Sequence, residues 1–187
     1  AANPTASPSS TTNYSLTITD ANGCTKTDSI IVSISNAPTT ASAGVDQTGA
    51  GLCGLTSTSL SANTPSSGTG NWSILSGAGG SFSDASNPTT TFSGTTGTTY
   101  ILRWAISNSP CASSTDDVTI SFPENPTVSS AGVDQTGAGT CGLTSTTMTA
   151  NTPVIGSGNW SIISGAGGSF TDGTDPATIF SGTAGST

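Results

Sequence analysis

YILRWAIS, residues Tyr100–Ser107, is the stretch that decides the fold. Tyr100, Leu102, Trp104 and Ile106 alternate with Ile101, Arg103, Ala105 and Ser107, so one parity is large and apolar. Side chains of a strand point alternately to opposite faces, and this pattern predicts a strand with one face in a core. After the turn residues Asn108-Ser-Pro-Cys111, the same parity returns in Val118, Ile120 and Phe122. Upstream, Trp72 and Ile74 share a parity in Asn71–Ser76, as do Leu60 and Ala62 in Thr56–Ala62. Gly77-Ala-Gly-Gly80 breaks the chain before Ser81-Phe82-Ser83, and Pro88–Ser93 supplies Phe92. Short alternating runs with turn residues every 8 to 12 positions predict an antiparallel sandwich or barrel. No segment has a sustained helical period.

The surroundings of that stretch recur. Ala43-Gly-Val-Asp-Gln-Thr-Gly-Ala-Gly-Leu-Cys-Gly-Leu55 returns 88 positions later as Ala131-Gly-Val-Asp-Gln-Thr-Gly-Ala-Gly-Thr-Cys-Gly-Leu143. Trp72, Phe82, Pro88 and Phe92 return as Trp160, Phe170, Pro176 and Phe180, and 41 of the 57 residues from 131 to 187 match their partners. The N-terminal segment reads as a diverged copy of the repeat's end. Tyr14, Leu16 and Ile18 alternate, Asp20-Ala-Asn-Gly23 supplies a hairpin turn, and Ser29–Ser35 returns with Ile30, Val32 and Ile34 on one face. The expected organisation is therefore the closing strands of one module in residues 1–37, a complete module in 38–125, and the opening strands of a third in 126–187. The Pro-bearing joints Asn36–Thr40 and Pro123–Thr127 favour semi-rigid connection. Trp72 on an early strand and Tyr100 opening a late one point to immunoglobulin-like sandwiches in tandem, an all-β fold.

Composition narrows the function. Ser and Thr total 69 of 187 residues, with 24 Gly and 10 Pro, and the net charge is −8 because Lys26 and Arg103 are the sole cations. Two cations cannot neutralise a run of phosphates, which excludes nucleic acid as partner. No apolar run approaches the roughly 20 residues of a membrane span, so no membrane insertion is expected. The chain has no His, which removes the usual general base of a nucleophilic triad. Asp116 and Asp117 point to opposite faces of one strand, and no Lys follows the Gly77–Gly80 run as a phosphate loop requires. No catalytic residue is assigned, and the expectation is a protein that is not an enzyme.

Four cysteines recur one pair per module: Cys53 and Cys111 within the complete one, Cys24 equivalent to Cys111, and Cys141 equivalent to Cys53. One reading is a Cys53–Cys111 disulfide in an oxidising compartment, with Cys24 and Cys141 pairing with neighbouring modules or with each other between chains. Two free thiols are the other. No cofactor is expected other than calcium, for which Asp46, Asp116, Glu124 and Asp134 offer hard oxygen ligands, the last two flanking one joint. Turn aspartates also serve as local backbone acceptors, the competing role. The Asn-x-Ser matches at Asn13, Asn71 and Asn159 are weak, two of them lying on a core strand.

The run Asn13-Tyr-Ser-Leu-Thr-Ile-Thr-Asp-Ala-Asn-Gly-Cys24 resembles the end of PKD-like, immunoglobulin-like repeats. The pattern AGVDQTG (43–49), CGLTST (53–58), NWSI (71–74), SGAGGSFSD (76–84), PTTTFSG (88–94) and Tyr-x-Leu-Arg-Trp (100–104) is similar to repeats of giant surface proteins of Bacteroidota. The resemblance covers nearly the whole chain. It implies type IX secretion, extracellular display at the cell surface, and a role in adhesion or gliding motility. It also implies O-glycosylation at Asp-Ser-apolar motifs, which Asp28-Ser29-Ile30 matches, making Ser29 the acceptor. The function expected from these readings is a structural and adhesive repeat region, a rigid disulfide-stapled spacer. Its partners would be neighbouring repeats, head-to-tail in the same or an adjacent chain, together with surface glycans or other cells. Two alternatives stand beside it: a glycan-binding sandwich, and a filament subunit assembled by strand complementation.

Overall fold

The computed structural model describes residues 3–185; positions 1–2 and 186–187, at the outer limits of the first and third expected segments, lie outside them. The chain is all-β, with only two short 3-10 turns, Ala50–Leu52 and Gly137–Thr140, among the described residues. It forms two compact units, Ala1–Phe122 and Pro123–Thr187.

The first unit opens with a hairpin, β1 (Thr12–Thr19) and β2 (Thr25–Val32), paired from Thr12↔Val32 to Thr19↔Thr25. The expected turn forms: Asp20 accepts the N–H groups of Asn22 and Cys24 on its side chain, and Gly23 takes positive φ. The returning strand starts earlier and ends earlier than the expected Ser29–Ser35, leaving Ile34 outside it. Six further strands build the complete module: β3 (Ser57–Ser59), β4 (Thr69–Ser76), β5 (Ser81–Phe82), β6 (Thr91–Ser93), β7 (Thr98–Ser107) and β8 (Ser114–Phe122), with an extended leading segment at 41–47 beside them. They form two three-stranded antiparallel sheets, ordered β3-β6-β5 and β4-β7-β8. Gln47 adds a parallel bridge to Ile120, which brings the leading segment against β8. Two such sheets around one core make a β-sandwich.

Period-two patterning made the core. Tyr100, Leu102, Trp104 and Ile106 of β7 and Val118, Ile120 and Phe122 of β8 are fully enclosed, and their register places Tyr100 opposite Ile120 and Leu102 opposite Val118. Leu60, Trp72, Phe92, Ala41 and Ala43 close over them. The aromatic rings touch in series: Trp72–Trp104 at 5.1 Å, Phe92–Tyr100 at 5.0 Å edge-on, and Phe92–Phe122 at 6.3 Å stacked. Each fully buried large side chain contributes about 1.5–3 kcal/mol, so the aromatic chain dominates the stability of this small module. The two indole N–H groups, of Trp72 and Trp104, are buried without a hydrogen-bond partner. Ring volume thus comes with a polar cost of about 1–3 kcal/mol each.

The second unit repeats one of the two sheets. Its strands β9 (Ser145–Thr147), β10 (Ser169–Phe170) and β11 (Ile179–Ser181) are ordered β10-β11-β9, and Ser169↔Ser181 and Phe170↔Phe180 copy the register Ser81↔Ser93 and Phe82↔Phe92. The sequence repeat is therefore a structural one, residue by residue, for that sheet. Residues 159–163, counterparts of β4, form no strand here. Such a strand needs a neighbour across the ladder, and in the complete module that neighbour is β7.

Candidate functional site

A polar corner of the complete module holds Tyr100. Its hydroxyl donates to the Ala78 carbonyl and accepts from the Thr95 N–H, both at 2.8 Å. The ring is admitted by glycines. A Cβ on Gly77, Gly80 or Gly94 would stand 2.3, 2.9 or 2.6 Å from a ring atom, closer than real contacts allow. The Gly77–Gly80 run, read in sequence as a chain breaker, is one wall of a cradle for tyrosine. Such a corner ties the crossing between the sheets to the start of β7.

The leading segment is fastened to β8 along its length. Ala41 N–H donates to Ser114 Oγ (2.9 Å), Ala43 N–H to Asp116 Oδ2 (2.7 Å) and Gln47 N–H to the Thr119 carbonyl (2.8 Å). In return Ser121 N–H donates to the Gln47 carbonyl (2.9 Å), and Thr119 N–H donates to Asp46 Oδ1 (2.9 Å). Gln47 is itself held by Thr58 and by the Ser59 carbonyl. Asp46 and Asp116 thus act as acceptors for backbone N–H groups, the competing role of such aspartates. Glu124 and Asp134, the other two candidates, are exposed in the second unit. Among the described residues no three His, Cys, Asp or Glu gather into a metal-holding group.

The Cys53–Cys111 pairing needs correcting. All four are free thiols. Cys111 sits in the turn before β8, its N–H bonded to Asn108 and its Sγ 3.9 Å from the Ser35 carbonyl. Cys53 follows the Ala50–Leu52 turn, between Gln47, bonded at Ser121, and Thr56, whose carbonyl accepts the Gly94 N–H. The two lie toward opposite ends of β8, a strand roughly 27 Å long. A disulfide needs Cα atoms within about 7 Å. Equal spacing along the chain said nothing about which end of the sandwich each occupies. Cys24, at the hairpin turn, and Cys141 are both exposed thiols.

Charge is sparse and local. Arg103 and Asp117 pair across β7 and β8 through two bonds of 2.7 and 2.8 Å, on the face away from the core. That hydrogen bonding holds the Asp117 carboxyl below its ordinary value and Arg103 above. Asp84 and its counterpart Asp172 are also held low, by the hydroxyl and N–H of Ser86 and Thr174 respectively. These are turn-stabilising bonds of side chain to nearby backbone. Ser29 is exposed on the hairpin, its N–H bonded to Asp28 Oδ1.

The second unit has open grooves where the complete module has strands. One, of about 640 Å3, is bordered by Ala131, Gln135, Met148, Phe180 and Gly182; another, of about 420 Å3, by Asn159, Trp160 and Ile163. Trp160 Nε1–H donates to the Asp175 carbonyl at 3.2 Å, a bond its buried counterpart Trp72 lacks.

Against known proteins, the chain matches no family model and no curated relative. No helix among the described residues is long and apolar enough to cross a membrane.

Proposed function

We propose that the chain is a non-enzymatic repeat region of a large extracellular surface protein, a load-bearing spacer in adhesion or gliding. The observation that carries this is the path of force through the complete module. The chain enters along the segment 41–47 and leaves at Phe122, and these two stretches run parallel, side by side. Tension on the two ends pulls them in opposite directions along their length. The bonds between Gln47 and β8 then lie across the pull and share the load, instead of opening one at a time.

Other features support the same reading. No aromatic ring of the complete module is exposed, so none is presented for stacking on a sugar. The dominant surface groups are Ser and Thr, with two cations in the whole chain, a composition that neither steers ligands nor performs acid–base chemistry. Antibody raised against residues 38–122 is expected to label intact source cells, and deletion of the parent protein to reduce their attachment under flow. Labelling only after permeabilisation would refute the placement.

A further inference from the structure

We propose that the leading segment of the complete module is an exchangeable strand, and that the edge of β8 it covers is a docking surface for the same segment of a second copy of this chain. The inference goes beyond the spacer reading and does not rest on it, since the contact can bear load without ever changing partners.

The surface is built for one occupant. Along β8, Ser114 Oγ, Asp116 Oδ2 and the Thr119 carbonyl accept the N–H groups of Ala41, Ala43 and Gln47. The N–H groups of Thr119 and Ser121 are taken in return by Asp46 Oδ1 and the Gln47 carbonyl. On its other side the segment meets Asn63, whose side chain accepts the Ser42 N–H at 2.8 Å and donates to the Thr40 carbonyl at 2.9 Å. A Cβ on Gly44 would stand 2.5 Å from Ser61 Oγ and 3.0 Å from the Ser61 carbonyl oxygen, so that place takes glycine. Gln47 closes the end, donating to the Ser59 carbonyl and accepting from Thr58 Oγ1. These contacts read a sequence, Ala-x-Ala-Gly-x-Asp-Gln, which every copy of the chain carries at 41–47. A strand added to a sheet edge draws affinity from main-chain bonds and selectivity from its side chains.

The same segment is lightly anchored. The side chains it buries are those of Ala41 and Ala43, while Val45 is 77% exposed. The large side chains of the core come from β4, β6, β7 and β8 and from Leu60. Withdrawing the segment therefore removes two methyl groups from the core and frees polar groups that water can solvate, a local opening that leaves the large side chains packed. The connection that follows has the character of a hinge. A Cβ on Gly49 or Gly51 would meet nothing within 4 Å. The backbone bonds of this loop, Leu52 N–H to Gly49, Cys53 N–H to Ala50 and Leu55 N–H to Leu52, close within it. The segment can swing out on that loop while β3 stays in its sheet.

Exchange restores what opening breaks. When two copies open at the hinge, each leading segment, with the residues before it, can lie on β8 of the other, and the same donors meet the same acceptors. The closed and exchanged forms hold equal bonds, so the local concentration of copies decides between them. The repeat widens the supply of donors, because Ala43–Gly49 recurs unchanged as Ala131–Gly137.

The test traps the exchanged form by disulfide. In the 187-residue chain with Cys24, Cys53, Cys111 and Cys141 all changed to Ser, one copy carries Ala41→Cys and another Ser114→Cys. The two are mixed, held near the urea midpoint, returned to buffer, oxidised mildly and run on a non-reducing gel. A linked heterodimer is expected, in at least about tenfold greater yield than from Ala41→Cys mixed with Ser121→Cys, at the other end of β8. Ala41→Cys and Ser114→Cys placed in one chain and oxidised before mixing are expected to close internally and to block exchange. Sedimentation of the reduced wild-type chain after the same urea treatment at high concentration is expected to show dimers. Equal yields from the two mixtures, no heterodimer, or a wild type that returns wholly as monomer would each overturn the proposal.

Discussion

Gly94→Ala and Gly182→Ala are the same substitution at equivalent positions of the repeat, and they are expected to behave differently. Neither glycine has positive φ, so alanine costs nothing in backbone strain at either place. At Gly94 the new methyl would stand 2.6 Å from Tyr100 Cε2, 2.8 Å from Phe122 Cε2 and 2.9 Å from Tyr100 Cζ. Both rings are fully enclosed and packed on Phe92, so neither has room to retreat. Overpacking of this kind costs about 1–3 kcal/mol. Displacing Tyr100 also stretches its bonds to Ala78 and Thr95, each worth about 0.5–1.5 kcal/mol. The sum is about 3 kcal/mol, which lowers the melting temperature of a module this size by on the order of 15 °C. At Gly182 the methyl meets Phe180 at van der Waals distance, and the expected change is under about 0.5 kcal/mol. Urea unfolding followed by tryptophan fluorescence measures Gly94→Ala in a Trp160→Phe background, where Trp72 and Trp104 report the complete module, and Gly182→Ala with all three tryptophans present, where Trp160 reports the second unit by difference. Equal effects at the two glycines, or a stable Gly94→Ala, would refute the cradle as described.

Further predictions follow from the same geometry. Tyr100→Phe keeps the ring but strands the Ala78 carbonyl and the Thr95 N–H, and is expected to lower the unfolding free energy by about 1–3 kcal/mol with an unchanged urea slope. Asp117 has a folded pKa below the ordinary 3.8, so its pairing stabilises the fold above that pH and the gain is lost as pH falls through the lower folded value. The difference between wild type and Asp117→Asn, followed by urea midpoints from pH 6 to pH 2, should therefore shrink with acid and should be small, since the pair is well exposed. Oxidation with glutathione disulfide followed by peptide mapping is expected to yield no Cys53–Cys111 linked peptide. A chelator is expected to leave the melting curve of the complete module unchanged, because Asp46 and Asp116 are occupied by backbone N–H groups.

Much of the sandwich was legible in the chain, and for a definite reason. Burial on one face imposes period two, and Tyr100–Ser107 and Val118–Phe122 display it with large residues. The hairpin at Asp20–Gly23 was legible because its turn chemistry is local. The leading segment was harder: Ala41 and Ala43 bury small side chains where they bond to β8 and Gly44 lies against Ser61, so no large apolar alternation marks them. Its bonds to residues 73 positions away are long-range pairings that spacing does not encode. The same blindness paired Cys53 with Cys111, whose places toward opposite ends of β8 spacing does not encode. The glycine cradle was hidden differently. Gly77, Gly80 and Gly94 read as turn punctuation, and only the ring lying against them shows that they also make room.

The most direct test of the load-bearing account is single-molecule pulling on the 187-residue chain, with handles placed in two ways. Handles at residues 38 and 122 load the contact between segment 41–47 and β8 in shear, while handles at residues 38 and 114 peel the same bonds apart in turn. The account predicts one discrete event in the first geometry, releasing about 300 Å of chain at roughly 3.5 Å per residue, at a force well above that of the second. Equal rupture forces in the two geometries, or gradual extension without a discrete event, would contradict it.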